Sequence, residues 1–266
     1  MDFFEGRLGD LIDEAAGGVF ASSGFLTPQE CAAAARYLKK TGVSFEFVGG
    51  YDAAERRMAL ILPGWCADLD DETRAETVKA EADGLIVPLL IERDSYLTAH
   101  PEDVKRPIGH RDYLGALLGL GVDRSRVGDI CVFDGGAAVF VMPSAAEFLM
   151  SSERPLTQVG REKVEISRFG VPEGFDGWRR YEALNGVCAS DRIDSVLSAL
   201  TNLSREKIKE AISRGEAEKN YETVTKPDDS AAEGDILSLR GWGKCRITGF
   251  APTRKDRVRV AAEKYI

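Results

Sequence analysis

Apolar positions recur with two distinct periods along this chain, and the change between them marks out its elements. Phe4, Leu8, Leu11 and Ile12 fall on one helical face. Thr27-Pro28-Gln29-Glu30 reads as a helix start, with Thr27 as N-cap, Pro28 in the first turn and Glu30 placed to complete a capping box. That helix is predicted to run to about Lys40 and to stop near Gly42. Val43 to Val48 alternates as a strand, Gly49-Gly50-Tyr51 turns the chain, and Met58 to Leu62 forms a second strand closed by Pro63-Gly64. Residues 71–82 are charged and read as a helix or a link. Gly84 to Arg93 reads as a strand in which Pro88 favours a bulge or an edge. A helix over His110 to Leu120, stopped by Gly121, precedes a strand from Asp129 to Phe133. Asp134-Gly135-Gly136 is a hairpin turn, and Ala137 to Met142 is the partner strand. Ser144 is expected to cap a helix running to about Glu153, with Glu147 at its third position, and Lys163 to Phe169 is a last strand.

The order of the second half of that series, βαββαβ, is the split ferredoxin-like arrangement shared by RRM domains. RRM domains stack bases on aromatics of their two central strands. In those strands here, Gly84 to Glu92 and Ala137 to Met142, Phe140 is the sole aromatic. The base-stacking platform is therefore not expected. Gly170 to Gly177 is rich in Gly and Pro and reads as a linker. Beyond it, Ile193, Val196, Leu197 and Leu200 mark one short amphipathic helix, and Ile208, Ala211 and Ile212 a second. Gly215 stops the second helix. A short extended piece with Asn220 and Tyr221, a turn at Glu233-Gly234-Asp235 and an alternating strand from Ile236 follow.

Charge sharpens the picture. The 266 residues carry a net charge of −9, unevenly spread. Arg179 to Ile266 has 17 basic and 14 acidic residues, a balance of +3, against 18 basic and 30 acidic before it, a balance of −12. Such asymmetry suggests a basic contact module on an acidic body. Screening confines electrostatic attraction to about 8 Å at physiological salt, so a local basic face can bind a polyanion on an acidic chain. Five cysteines at wide spacing, with no CxxC, argue for reduced thiols rather than a disulfide framework or zinc ribbon. Two histidines cannot make a His-rich metal site, and no cofactor is expected. No run of 18 apolar residues and no secretory leader pattern occurs, so a cytoplasmic location without a membrane span is expected.

The basic module supplies the candidate chemistry. Ser204 is an N-cap candidate ahead of Arg205, Lys207, Lys209 and Arg214. Free N–H groups at a helix start and charged side chains beside it suit phosphate. Arg192 opens the first helix and could join that face. Lys219 and Asn220, then Arg240, Trp242, Lys244 and Arg246, extend the candidate RNA-binding set. Trp242 is open to two readings, a base-stacking ring or a small-core tryptophan. Arg254, Lys255, Arg257 and Arg259 read as a phosphate-contacting edge or a solubilising tail. This order of two short helices, Gly215 stop and following strand resembles the S4 domain, a small RNA-binding module. One departure stands out: in Gly215-Glu216-Ala217-Glu218-Lys219-Asn220, Glu216 takes the place of the cation such modules carry and Ala217 and Lys219 those of their two valines, and the added carboxylates of Glu216 and Glu218 oppose phosphate approach.

Two further segments extend the resemblance. Gly49-Gly50-Tyr51-Asp52-Ala53-Ala54-Glu55-Arg56-Arg57 and His110-Arg111-Asp112-Tyr113-Leu114-Gly115-Ala116-Leu117, together with Phe25-Leu26-Thr27-Pro28, resemble the YlmH family of bacterial S4-domain proteins and are similar to the photosystem II S4-domain proteins. The resemblance runs from about Phe25 to Arg259. It implies an α+β chain in parts: an N-terminal α/β domain over 1–82, an RRM-like domain over 83–170, a linker over 171–180 and a C-terminal S4 (αL-like) domain over 181–266. It also implies a non-enzymatic binder of rRNA or tRNA at the large ribosomal subunit carrying a stalled peptidyl-tRNA, in quality control. A monomer is expected, without DNA or membrane partners. Arg56, Arg57, His110 and Arg111 form a second candidate RNA or partner surface, with internal structural roles as the alternative.

Two other classes stay open from sequence: an RNA-modifying or processing enzyme using the S4 module to hold substrate, and a protein-interaction adaptor linked to cell division. Enzyme look-alikes are weak. His110-Arg111-Asp112 lacks the Asn that a kinase loop needs, since Leu117 stands there. Pro107 replaces the first His of a synthetase HIGH motif. No GxGxxG follows a strand.

Overall fold

The computed structural model describes residues 3–94, 108–151, 155–253 and 257–266. The chain forms two compact units, Met1–Trp178 and Arg179–Ile266. Both mix helices and antiparallel sheet, an α+β composition. No helix among the described residues is long and apolar enough to cross a membrane.

The first unit opens with helices α1 (Phe3–Ala16) and α2 (Pro28–Thr41) and a small sheet of β1 (Ala21–Ser22), β2 (Phe45–Val48) and β3 (Met58–Ile61), in the order β1-β3-β2. The α2 start follows its sequence signals. Thr27 Oγ1 accepts from Glu30 N, Glu30 Oε2 accepts from Thr27 N at 2.7 Å, and Gly42 ends the helix at φ 75°. Leu8, Ala34 and Leu38 pack on Ala59 and Ile61. Residues 71–82 belong to α3 (Asp71–Leu85), capped by Asp70. This helix continues through Gly84 and Leu85, so the next strand, β4 (Val87–Arg93), starts later than expected.

The predicted βαββαβ order is present: β4, α4 (His110–Gly119), β5 (Val127–Phe133), β6 (Gly136–Val141), α5 (Pro143–Met150) and β8 (Glu162–Arg168), with a short β7 (Gln158–Val159) before β8. The sheet order is β5-β6-β4-β8-β7. Two expectations need correction. Pro88 lies in a central strand, not at an edge. Its carbonyl accepts from Phe169 N at 3.0 Å, just past the end of the β4–β8 ladder. A strand residue's N–H and C=O point the same way, so the missing donor falls where the ladder has run out. Ser144 is not the cap of α5. Met142 is, and Pro143 enters the first turn with its φ already suited to a helix. The expected end at Glu153 lies outside the described residues.

One face of this sheet packs Leu89, Ile91 and Val139 with Tyr113, Leu117 and Leu149 of the helices. The other face is also covered. Phe140 is fully buried, with Tyr51 at 4.8 Å between ring centroids and Phe175 at 6.1 Å. Tyr51 arrives on the Gly49-Gly50 turn. Gly50 has φ 87°, and a Cβ there would sit 2.5 Å from Phe140 Cδ1, so only glycine lets the turn press against the ring. Phe175 comes from the Gly/Pro-rich segment read as a linker. That segment packs back onto the first unit through Val171 and Phe175.

The second unit carries α6 (Ile193–Thr201) and α7 (Arg205–Ser213) on a six-stranded sheet. Its strands are β9 (Tyr181–Cys188), β10 (Ala217–Lys219), β11 (Glu222–Thr223), β12 (Ile236–Leu239), β13 (Gly243–Pro252) and β14 (Val258–Tyr265), in the order β11-β10-β12-β13-β14-β9. Ile193, Val196, Leu197, Ile208 and Ile212 meet Leu237, Cys245, Ile247 and Val260 in one core. Asn220 and Tyr221 are not extended. Both have positive φ, 50° and 67°, and they form the two-residue turn between β10 and β11.

Candidate functional site

The two helices of the second unit organise its cations around one carboxylate. Asp194 lies in the first turn of α6 and is fully buried, although its neighbours Ile193, Val196 and Leu197 are apolar. Arg192 Nε lies 3.2 Å from Oδ1, Arg205 Nη2 2.7 Å from Oδ2, and Lys209 Nζ 4.0 Å from Oδ2. Burial alone would raise the Asp194 pKa. Hydrogen bonds from Arg192 and Arg205, with their charge, outweigh it and hold the carboxyl below its usual range. Three cations share this carboxylate, and Asp228 also acts on the charge of Arg192. The side chains of Arg192, Arg205 and Lys209 are 40, 41 and 52% exposed, although Arg205 Nε is itself buried. Guanidinium and ammonium donors suit phosphate oxygens.

Helical geometry divides the α7 cations. Arg205 and Lys209 are four residues apart and share a flank. Lys207 lies about half a turn away, on the flank of Arg214. Ser204 caps α7, its Oγ accepting from Lys207 N at 3.3 Å. Arg214 pairs with Glu216 at 3.0 Å and lies 4.0 Å from Glu210. The carboxylate of Glu216 is thus drawn to Arg214.

Other candidate residues are engaged within the fold. Lys219 Nζ donates to Ser230 O at 2.8 Å and pairs with Asp235 at 3.0 Å. Asn220 clamps the same turn: Nδ2 donates to Asp235 Oδ1, and Oδ1 accepts from Ile236 N. Trp242 packs against the core with Lys264 Nζ 4.8 Å above its ring. Lys244 sits 4.6 Å over the ring of Tyr265, and Arg246 pairs with Glu263 at 2.8 Å. Arg240 is exposed. Arg257, just before β14, and Arg259, within it, are exposed, whereas Arg254 and Lys255 lie outside the described residues.

The second candidate surface resolves mostly into structure. Asp129 sits at the irregularity where β5 slips its pairing with β6 between Val127 and Ile130. It accepts from Tyr51 Oη at 2.6 Å, Glu55 N at 2.8 Å and Arg56 N at 2.9 Å. Burial first, then the Asp129 charge, push the Tyr51 phenol well above its usual pKa, so it stays a donor. Arg56 donates to the carbonyls of Val127, Phe25 and Arg124. Its expected place on a contact surface gives way to this internal role, because buried carbonyls at a slipped ladder need donors. Arg57 stacks over Phe47 at 5.3 Å and lines a cavity of about 820 Å³ below α3. His110 opens α4. Partial desolvation, and then the Arg124 charge, lower its pKa. Arg111 is exposed. The sequence hinted at none of the Asp129 contacts, which span more than 70 residues.

Replacing Asp129 with Ala is expected to leave three donors without their acceptor and to lower stability by about 3 kcal/mol. Urea unfolding of the full chain checks this. An unchanged midpoint would mean that Asp129 does not hold the Gly49–Arg57 segment in place.

Comparison with known proteins adds three findings. A family profile described as "Putative RNA-binding domain in YlmH" matches residues 104–173. That stretch has nine basic and nine acidic residues, so the acidity of the first unit lies outside it. The chain is 29% identical over 248 residues to a Bacillus subtilis protein named "Ribosome-associated protein quality control protein P2", across 90% of this chain and 85% of that one. A solved structure, "Cell division protein ylmH from Streptococcus pneumoniae", aligns with a TM-score of 0.44 at 19% identity, covering 65% of this chain and 93% of that one.

Proposed function

The chain belongs to the YlmH family, and from that premise we propose that it is a ribosome-associated RNA-binding protein that works without catalysis. We assign residues 181–266 to an S4 module, residues 1–82 to an N-terminal α/β domain and residues 83–170 to an RRM-like domain. The single observation that carries the reading is the buried Asp194, which gathers Arg192, Arg205 and Lys209 on one face. A buried carboxylate is a costly way to support stability, but it fixes the positions of long, flexible cations. Pre-positioned cations lose less side-chain entropy when they meet a phosphate backbone. They place the protein on RNA without reading bases.

The name of the Bacillus subtilis relative, a ribosome-associated quality control protein, supports the ribosome as the setting. We propose the large subunit carrying a stalled peptidyl-tRNA as the specific target. Sedimentation with separated ribosomal subunits tests this. The chain is expected to travel with the large subunit and to do so more fully when peptidyl-tRNA is present. Equal recovery with both subunits, or no effect of peptidyl-tRNA, would reject the specific target while leaving RNA binding to be judged by its salt dependence.

A further inference from the structure

We propose that the outer face of the second unit's sheet is a separate site that stacks the unpaired bases of single-stranded RNA. This rests on the RNA-binding reading above and adds to it a surface of different chemistry. Side chains alternate across a strand. On β13, Cys245 and Ile247 point into the core under α6 and α7. Lys244 and Arg246 therefore point to the opposite face. Tyr265 on β14 is the cross-strand partner of Tyr181 on β9, and their rings meet edge to face at 5.2 Å.

Cations and rings interleave across this face. Lys244 Nζ lies 4.6 Å from the Tyr265 ring and 5.8 Å from the Tyr221 ring. The Arg246 guanidinium lies 5.8 Å from Tyr181, and that of Arg179 lies 5.9 Å from Tyr265. The face thus spans the β10–β11 turn, β13, β14 and β9. Its rings are half-buried. Cationic grooves with aromatic side chains hold single strands by stacking, whatever the sequence. A duplex keeps its bases stacked on one another and offers such rings nothing. The face around Asp194, where cations gather on a buried carboxylate, suits the duplex backbone instead. The two surfaces lie on opposite sides of the unit's core, so one RNA with a helix and an unpaired segment could engage both. Arg246 is already paired with Glu263, so it is the stacking rings, which an acidic peptide has no bases to use, that favour RNA.

The test uses the full chain with two labelled probes followed by fluorescence anisotropy. One is an oligouridylate of about 12 nucleotides, within the site sizes of known single-strand binders. The other is a hairpin RNA with a closed stem. Tyr181→Leu combined with Tyr265→Leu is expected to weaken oligouridylate binding by about tenfold or more and to leave hairpin binding unchanged. Tyr181→Phe with Tyr265→Phe keeps both rings and is expected to bind as the parent does. Equal losses on both probes, no loss on the oligouridylate, no binding of it by the parent chain, or full displacement by polyglutamate would each overturn the inference. Failure of the parent chain to bind the hairpin would instead reject the broader RNA reading. If the leucine variant does not fold, photo-crosslinking of the parent chain to a 4-thiouridine oligonucleotide decides. Adducts at Tyr181 or Tyr265 are expected, and adducts confined to α6 and α7 would overturn the proposal.

Discussion

Asp194→Asn is expected to lower the stability of the second unit by about 3–5 kcal/mol, the usual cost of removing one partner from a buried ion pair. The substitution keeps the side-chain shape, so packing around Ile193, Val196 and Leu197 should persist. It removes the anion that Arg192, Arg205 and Lys209 share. Their mutual repulsion then loses its shared buried counter-charge. The same logic gives a pH dependence. The folded carboxyl has a depressed pKa, so its contribution is fully present above the unfolded carboxylate pKa of about 3.9. It is lost as pH falls through the folded value. Acid unfolding of the parent chain should therefore steepen below about pH 4, whereas the Asn variant should lack that component. Urea titrations across pH check both parts. An Asn variant as stable as the parent would mean that Asp194 does not organise the cations.

The second large effect concerns which unit binds RNA. Residues 179–266 alone are expected to keep most of the affinity for a structured RNA, and residues 1–178 to bind at least about tenfold more weakly. Each unit buries its own core, so the separate pieces can be compared. The first unit carries −12 and the second +3. The sheet face that an RRM uses for base stacking is sealed here by Tyr51 and Phe175 against Phe140. The segment matched by the RNA-binding profile has balanced charge, and Arg111 is an exposed cation within it. If residues 1–178 bound as tightly as the full chain, the RNA surface would lie around that segment and not around Asp194.

Local signals carried much of the fold. The capping box at Thr27, the stop at Gly42, the βαββαβ order and the two helices of the second unit are written in neighbouring residues. Non-local pairing was hidden. The β9 segment Tyr-Glu-Ala-Leu-Asn-Gly-Val-Cys has little alternation, because Gly186 sits beneath Ala199 where a Cβ would come within 2.9 Å. The turn at Asn220 and Tyr221 is held by Asp235, which lies 15 residues beyond Asn220. The basic residues of the site were legible as types but not as partners. An acid among Ile193, Val196 and Leu197 was the available clue that Arg205 and Lys209 converge on something buried. The Gly/Pro segment misled in the other direction. Its composition suits a linker, but Phe175 gives it a core to join.

The most direct test of the account is the salt dependence of binding to a closed-stem RNA by Lys209→Ala and by Lys207→Ala. Both lysines are exposed on α7, but only Lys209 shares the flank of Arg205 and reaches toward Asp194. Each phosphate contact contributes about 0.9 to the slope of log affinity against log salt on a duplex. Lys209→Ala is expected to reduce that slope by about one unit, with no change in thermal stability, while Lys207→Ala leaves the slope as it was. An unchanged slope for Lys209→Ala, or the same reduction for both variants, would contradict the assignment of the Asp194 face to the RNA backbone.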